Sequence, residues 1–464
     1  MESLRDSGPR TATGLWAAVR DAAAGVRHGA AGRVAALAAV EGSPRLGWVL
    51  PPPWPRVDAV LREVLREVRP RPARPGTLLL VGTGGWAFAA RAVAESADAG
   101  HRLRVLDRLD APRVAELPRP AALVVASESG RTLETVRLAA VLGARTRLTP
   151  VRLEGARMSL LPEAPTTALF GAPLSTPFLL AMATVHGDAL EDAYAQFTTV
   201  TEHLGRWAAA TACDVDGEPY PRLRLTEAEQ DAQQNREQDA EPSGLDLFAL
   251  QALRQALGGK SAPKRPGPHW QVGPGAAPDE TVVGPPPLPE DLTEPARLMA
   301  RLYAVCALTA CLGVRLGLKF AEHPAVDRYK RLVGTIRPRP AYVDPRGSAE
   351  HVTPLLRGLG GDGVLHVVTY ESASDATRTM RRTRQALPCR LGVRTEFHRG
   401  SAWNHHSYQA VAGDPRARVL AWLPAEDGDP LTALQRDIAA ATCASLPGRA
   451  VLLQSPAPRR RSPS

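Results

Sequence analysis

The sequence predicts an α/β protein built from two doubly wound parallel-sheet domains, the second trimmed relative to the first. Three observations carry that expectation. Short unbroken apolar runs alternate with helical segments from residue 77 onward, which is how strands covered on both faces of a parallel sheet read. A polar, acid-rich stretch interrupts the pattern, and it resumes beyond residue 360. A chain of 464 residues is also long enough to bury two cores.

The elements follow in chain order. Residues 1–75 read as an N-terminal helical segment, broken by VLPPPWP (49–55). The first α/β domain spans 76–210. There TLLLV (77–81) is a strand, and GTGGWAF opens a helix reaching Ala99. LRVL (103–106) is a strand and 111–117 a short helix. AALVVA (121–126) is a strand, 132–143 a helix and LTPVRL (148–153) a strand. Residues 211–244 hold too few apolar side chains to bury a core, so they read as a linker or insertion. The second domain spans 245–464. It opens with a helix over 245–258 and a Pro- and Gly-rich loop over 261–291. A long helix over 293–318 has Thr293 as N-cap and Pro295 in its first turn. GVLHVVTY (363–370), LGVRTEF (391–397) and ARVLAWL (417–423) are strands, with a helix over 374–387.

Composition narrows the function classes. The net charge of +9 is spread along the chain, and the lysines are Lys260, Lys264, Lys319 and Lys330 alone. The one basic cluster, Arg459 to Arg461, reads as a solvated tail, so no nucleic-acid partner is expected. Cys213, Cys306, Cys311, Cys389 and Cys443 form no CxxC pair, and their odd number fits reduced thiols in a cytoplasm. The start, MESLRDSGPR, lacks the apolar centre of a signal peptide. Leu302 to Val314, the longest uncharged apolar run, is too short for a bilayer and reads as a buried helix. A cytoplasmic protein with no membrane partner, metal or cofactor is expected.

SESGRTLET (127–135) ends the AALVVA strand and turns directly into a helix. In an open α/β sheet, ligands sit at the carboxyl ends of strands. A helix starting there offers unpaired N–H groups and the positive end of its dipole. Ser127, Ser129 and Thr132 add hydroxyl donors, and Gly130 lets a backbone approach an anion closely. Phosphate on a small molecule suits such a cradle. An ordinary Ser/Thr-capped helix start gives the same residues. Arg131 either forks onto phosphate oxygens or is one more surface arginine. GTGGW (82–86) supplies a second glycine turn, Gly84 and Gly85, without the spacing of a dinucleotide or P-loop motif.

These residues carry a family resemblance. SESGRTLET resembles the SKSGTTxET phosphate loop of glucose-6-phosphate (phosphoglucose) isomerases, in the sugar isomerase (SIS) domain, and the form associated with transaldolase is the most similar. RLGWV (45–49), VGTGGW (81–86) and VLDRLD (105–110) resemble its N-terminal segment, first turn and second strand. LQALRQALGGK (250–260) is similar to EQLxAESTGK, and FAEHPAVDRYK (320–330) to NPFDQPxVExxK. RLGVRTEF…NHHSYQ (390–409) is similar to the segment ending LHSTGQ. The resemblance implies two SIS domains and interconversion of an aldose and a ketose phosphate through an enediol. It also implies a homodimer, no cofactor, and work beside enzymes of the pentose phosphate or glycolytic route.

Carried over residue by residue, the implied site is altered. The phosphate-binding set is Gly84, Gly85, Ser127, Ser129, Gly130, Arg131 and Thr132, with Glu128 replacing the loop lysine. Trp86 replaces the first turn's serine. The glutamate that moves the proton falls on Gln255, and an amide cannot act as the base. GAPLS (171–175) stands for the family's GGR turn, putting Pro173 where an arginine would stabilise enediolate charge. His406 matches the ring-opening histidine, with His405 as the alternative, and Lys330 matches the lysine. The shortened interval 261–291 implies an incomplete second sheet. The expected function is therefore sugar-phosphate binding with weak or no isomerase activity. An active isomerase on glucose 6-phosphate and a purely structural assembly paralogue are the alternatives.

Overall fold

The computed structural model describes residues 11–28, 32–68, 77–96, 101–160, 172–215, 218, 221–225, 242–258, 269–272, 280–322, 324–357, 359, 363–387, 393–426 and 428–455. Most of the expected linker, much of the 261–291 loop, Lys260, Cys389 and the basic tail lie outside these residues.

The chain opens with α1 (Ala12–Arg27), α2 (Arg33–Leu37), the hairpin β1 (Ala39–Val40) and β2 (Ser43–Pro44), and α3 (Trp54–Val68). There follow β3 (Leu78–Val81), α4 (Gly85–Ser96), β4 (Leu103–Leu106), α5 (Ala111–Glu116), β5 (Ala122–Ser127), α6 (Leu133–Thr146) and β6 (Val151–Glu154). Next come α7 (Thr176–His186), α8 (Ala189–Asp214), β7 (Pro221–Leu223), α9 (Gly244–Leu250), β8 (Gln271–Val272), β9 (Thr281–Val283) and α10 (Glu294–Leu316). The remainder is α11 (Pro324–Leu332), β10 (Ala341–Tyr342), α12 (Ser348–Leu356), β11 (Val364–Thr369), α13 (Ala373–Ala386), β12 (Arg394–Arg399), α14 (Gly400–His406), α15 (Tyr408–Gly413), β13 (Ala417–Leu423), α16 (Pro430–Ala444) and β14 (Ala450–Gln454).

Contacts divide the chain into two units. The first holds Met1–Asp107, Pro118–His323 and His405–Ala410, and the second holds Arg108–Leu117, Pro324–Asn404 and Val411–Ser464. The division departs from the one read in sequence, because 245–323 joins the first unit. There α9 packs on α4, and α10 packs along α8.

The first unit's main sheet has four parallel strands in the order β4-β3-β5-β6. The chain winds outward from β3 to β4, crosses back to β5, and continues to β6. The switch point of this doubly wound sheet lies between β3 and β5, whose carboxyl ends carry the turns GTGG and SESG. Strand β3 is buried at all four positions because helices cover both faces. Helix α10 is long and apolar enough to cross a membrane by length and composition, but 89% of its apolar window is buried inside the fold, which makes it a core helix. Tyr303 on α10 donates to the Val49 carbonyl at 2.8 Å and meets Trp48 edge-on at 5.5 Å between ring centroids. The RLGWV segment thus closes this core by burying its tryptophan.

The second unit, expected to be the reduced one, carries five parallel strands in the order β10-β14-β13-β11-β12. All of them come from sequence beyond the shortened interval, whose described strands β8 and β9 pair instead with β7 in a separate three-stranded parallel sheet. This sheet is also doubly wound, with its switch between β11 and β13. One face packs Leu365, Val367, Leu420, Trp422 and Leu453 into an apolar cluster with Val352 and Leu387.

Candidate functional site

Strand β5 delivers Ser127 to the switch point of the first sheet, and the chain then turns tightly. The N–H of Gly130 donates to the Ser127 carbonyl at 3.1 Å. Gly130 itself has φ +64°, the left-handed region that favours glycine. Thr132 is the N-cap of α6, and its side chain makes no capping hydrogen bond. Its Oγ1 instead accepts from Ser127 Oγ at 3.1 Å. Ser129 is exposed, and its Oγ accepts the Arg131 N–H at 3.2 Å. Arg131 is exposed. Glu128 is turned toward Arg45, 3.6 Å away, so the charge replacing the family's lysine is paired. Glu154 lies against Gly130: a Cβ there would be 2.9 Å from its Oε2. The fold brings the predicted residues 127–132 together, with all three hydroxyls engaged inside the loop and one carboxylate at its glycine.

The second turn lies across the switch point. Gly84 has φ +101°, which lets the chain bend from β3 into α4, whose first residue is Gly85. Trp86 is 1% exposed, and its indole packs on Gly82, where any Cβ would strike both the ring and the Ala126 carbonyl oxygen. The indole therefore lies against the backbone at the end of β3. Above Gly84 lies the amide of Gln251, with Nε2 3.6 Å from where a Cβ would be. Gln251 is buried, and among the described residues its Oε1 has no hydrogen-bond partner. Sequence reasoning passed over Gln251. It sits in a π-helical turn, Gln251–Gln255, that follows α9, and such turns occur frequently at functional sites.

Gln255, at the expected base position, is buried at 3% exposure rather than lying on a helix surface. Its Oε1 accepts the Gln409 N–H at 3.1 Å. Next to it, the buried Arg254 donates to the Trp270 carbonyl and, at 3.3 Å, to Ser407 Oγ. His406 Nδ1 is 2.7 Å from the same Ser407 Oγ, and its ring meets Phe88 edge-on. His405 takes a different partner: its Nε2 is 3.0 Å from Oε1 of Glu134. Glu134 is buried in the first turn of α6, directly after the phosphate loop. The structure thus ties His405, the alternative, to the loop's helix and ties His406 to Ser407. Pro173 is buried in a short 3-10 turn, Ala172–Leu174, and Gly171 lies outside the described residues. Lys330 is half-buried near the end of α11 and belongs to the second unit, whereas Gln255 and His406 belong to the first.

No family model matches the chain, and no curated protein matches it. Among solved structures, it is similar to a hypothetical protein from Thermus thermophilus. That likeness has 17% identity and a TM-score of 0.45 over 68% of this chain and 93% of the other. It is also similar to a glucose-6-phosphate isomerase from Chlamydia trachomatis, with 12% identity and a TM-score of 0.46 over 70% of this chain and 85% of the other. At such identities and TM-scores these likenesses carry no assignment of family or activity.

Proposed function

We propose that the protein binds a phosphorylated sugar at the switch point of its first sheet and has little or no isomerase activity. The observation that carries the reading is the pairing of two glycine turns, Gly84–Gly85 and Ser127–Thr132, at the ends of β3 and β5. A crevice between strands that wind in opposite directions is where open α/β sheets take ligands. The hydroxyls and the start of α6 suit phosphate. Gln251, whose Nε2 faces Gly84, carries a buried acceptor in Oε1, and a sugar hydroxyl is a donor for it.

The low activity follows from the chemistry of the side chains. Gln255 has no ionisable group and already accepts a backbone N–H. Pro173 offers no cation for a developing oxyanion. Loss of a general base alone is worth about 10²–10⁴-fold, and loss of a charge-stabilising donor about 10²–10³-fold.

A second reading, that the loop only starts a helix, draws on Ser129 serving its own loop and on the carboxylate of Glu154 at Gly130. Thermal-shift measurements separate the two. Hexose, pentose and heptose phosphates are compared with the free sugars and with inorganic phosphate. The proposal expects at least one sugar phosphate to raise the melting temperature where its free sugar does not. Saturation at 100 times the dissociation constant adds about 2.7 kcal/mol to stability. No shift with any phosphate would leave the second reading standing. A coupled assay on glucose 6-phosphate should show turnover far below that of a competent isomerase.

A further inference from the structure

The second unit holds a cluster that the sugar-phosphate reading does not use. Strand β11, VLHVVT, is buried at all six positions and lies between β12 and β13. Apart from Thr369 at its end, its polar side chain is His366, which interrupts the apolar run and is 0% exposed. Leu365 and Val367 point into the apolar cluster on one face, so His366 points to the other. The parallel register sets Glu396 of β12 beside His366 and His398 beside Val368. Phe397 packs with the apolar cluster, which puts Glu396 and His398 on the face of His366.

Three Lewis-basic atoms converge there. His366 Nδ1 is 3.1 Å from His398 Nε2. Glu396 Oε2 is 3.5 Å from the first nitrogen and 3.3 Å from the second. The side chains are 0%, 9% and 10% exposed for His366, His398 and Glu396. Trp403, fully buried, lies near both imidazoles, 6.1 and 6.2 Å between ring centroids.

A tetrahedral ion with nitrogen and oxygen bonds of about 2.0–2.1 Å separates its ligand atoms by about 3.3–3.4 Å. The three separations observed span that value. We propose that His366, Glu396 and His398 form a three-ligand site for a divalent first-row transition ion, with zinc the best fit. Two imidazoles and one carboxylate favour zinc over magnesium or calcium, which take oxygen ligands. Without an ion, one proton shared between the two ring nitrogens holds the same atoms together. Binding then moves that proton to the far nitrogen of its own ring, because the ligating imidazoles must be neutral and unprotonated at the bonding nitrogen. The site lies in the other unit from residues 127–132 and is independent of any sugar phosphate.

The test uses the full chain stripped with a chelator and returned to metal-free buffer. Zinc chloride is titrated by calorimetry, and bound zinc is counted by elemental analysis. One zinc per chain is expected. Glu396→Gln and His398→Gln should each weaken binding at least about tenfold, the smaller end of what even outer-shell changes cost, with unchanged circular dichroism. Cobalt(II) bound to the wild-type chain should give the visible absorption of a tetrahedral site. That spectrum decides the matter should either variant fail to fold. A folded wild-type chain that takes up no zinc and shows no cobalt band would overturn the site. So would equal affinity in both variants, which would leave the shared proton as the whole reason for the cluster.

Discussion

Glu134 occupies the first turn of α6, where a carboxylate is favoured by the helix dipole, yet it is buried and faces His405 at 3.0 Å. Removing one member of a buried hydrogen-bonded pair leaves the other unsatisfied, at about 1–3 kcal/mol. Glu134→Ala should lower unfolding stability by that amount in urea, and Glu134→Gln, which keeps an acceptor oxygen, by less. Glu371 tests burial differently. Desolvation pushes its carboxyl up from the usual range, against hydrogen bonds from Thr379 and Thr369 that pull it down. A folded pKa above the unfolded one means that the fold holds the proton more tightly. The stability from that proton is full below the unfolded pKa and is lost as pH rises through the folded pKa. Glu371→Gln should therefore raise the melting temperature at neutral pH relative to wild type and flatten its decline between acidic and neutral pH. A steeper decline in the variant would contradict this.

At the scale of elements, helix pairs in the first unit meet through glycine. Gly205 of α8 receives the indole of Trp16 from α1, and any Cβ there would strike the ring. Gly205→Ala should destabilise by about 1–3 kcal/mol through overpacking, measured by chemical denaturation. A neutral result would mean that α1 shifts freely on α8. The buried strands β3, β5, β11 and β13 were legible because a run such as LLLV or ARVLAWL fits a sheet covered on both sides. Strands β7, β8 and β9 have two or three residues, too few to show any period. The π turn at Gln251–Gln255 was not legible, since it is set by packing and not by residue type. That turn is why Gln251 faces Gly84 while Gln255 meets α15. The loop at 127–132 was readable from its hydroxyls and glycine. Which of two adjacent histidines pairs with a carboxylate 271 residues earlier was not, because local pattern carries no tertiary partner.

For the molecule as a whole, the proposed sugar-phosphate crevice of the first unit stands beside groups that do not suit isomerisation. Gln255→Glu restores a carboxylate, but Trp86 still packs on Gly82 at the end of β3, and Pro173 still lacks charge. Effects within one catalytic unit do not add. The single change should recover little turnover in a coupled assay, and the triple change with Trp86→Ser and Pro173→Arg should recover more. Robust turnover from Gln255→Glu alone would show that the site is a near-enzyme. The central claim is binding at the loop, and a calorimetric titration tests it most directly. Glucose 6-phosphate, or whichever sugar phosphate gives the largest thermal shift, is titrated into the wild-type chain and into Ser129→Ala/Thr132→Ala. Saturable binding to the wild type and a loss of at least about tenfold in affinity, roughly 1.4 kcal/mol, in the folded double variant is the predicted result. Equal affinity in the two proteins, or no binding of any sugar phosphate to the wild type, would contradict it.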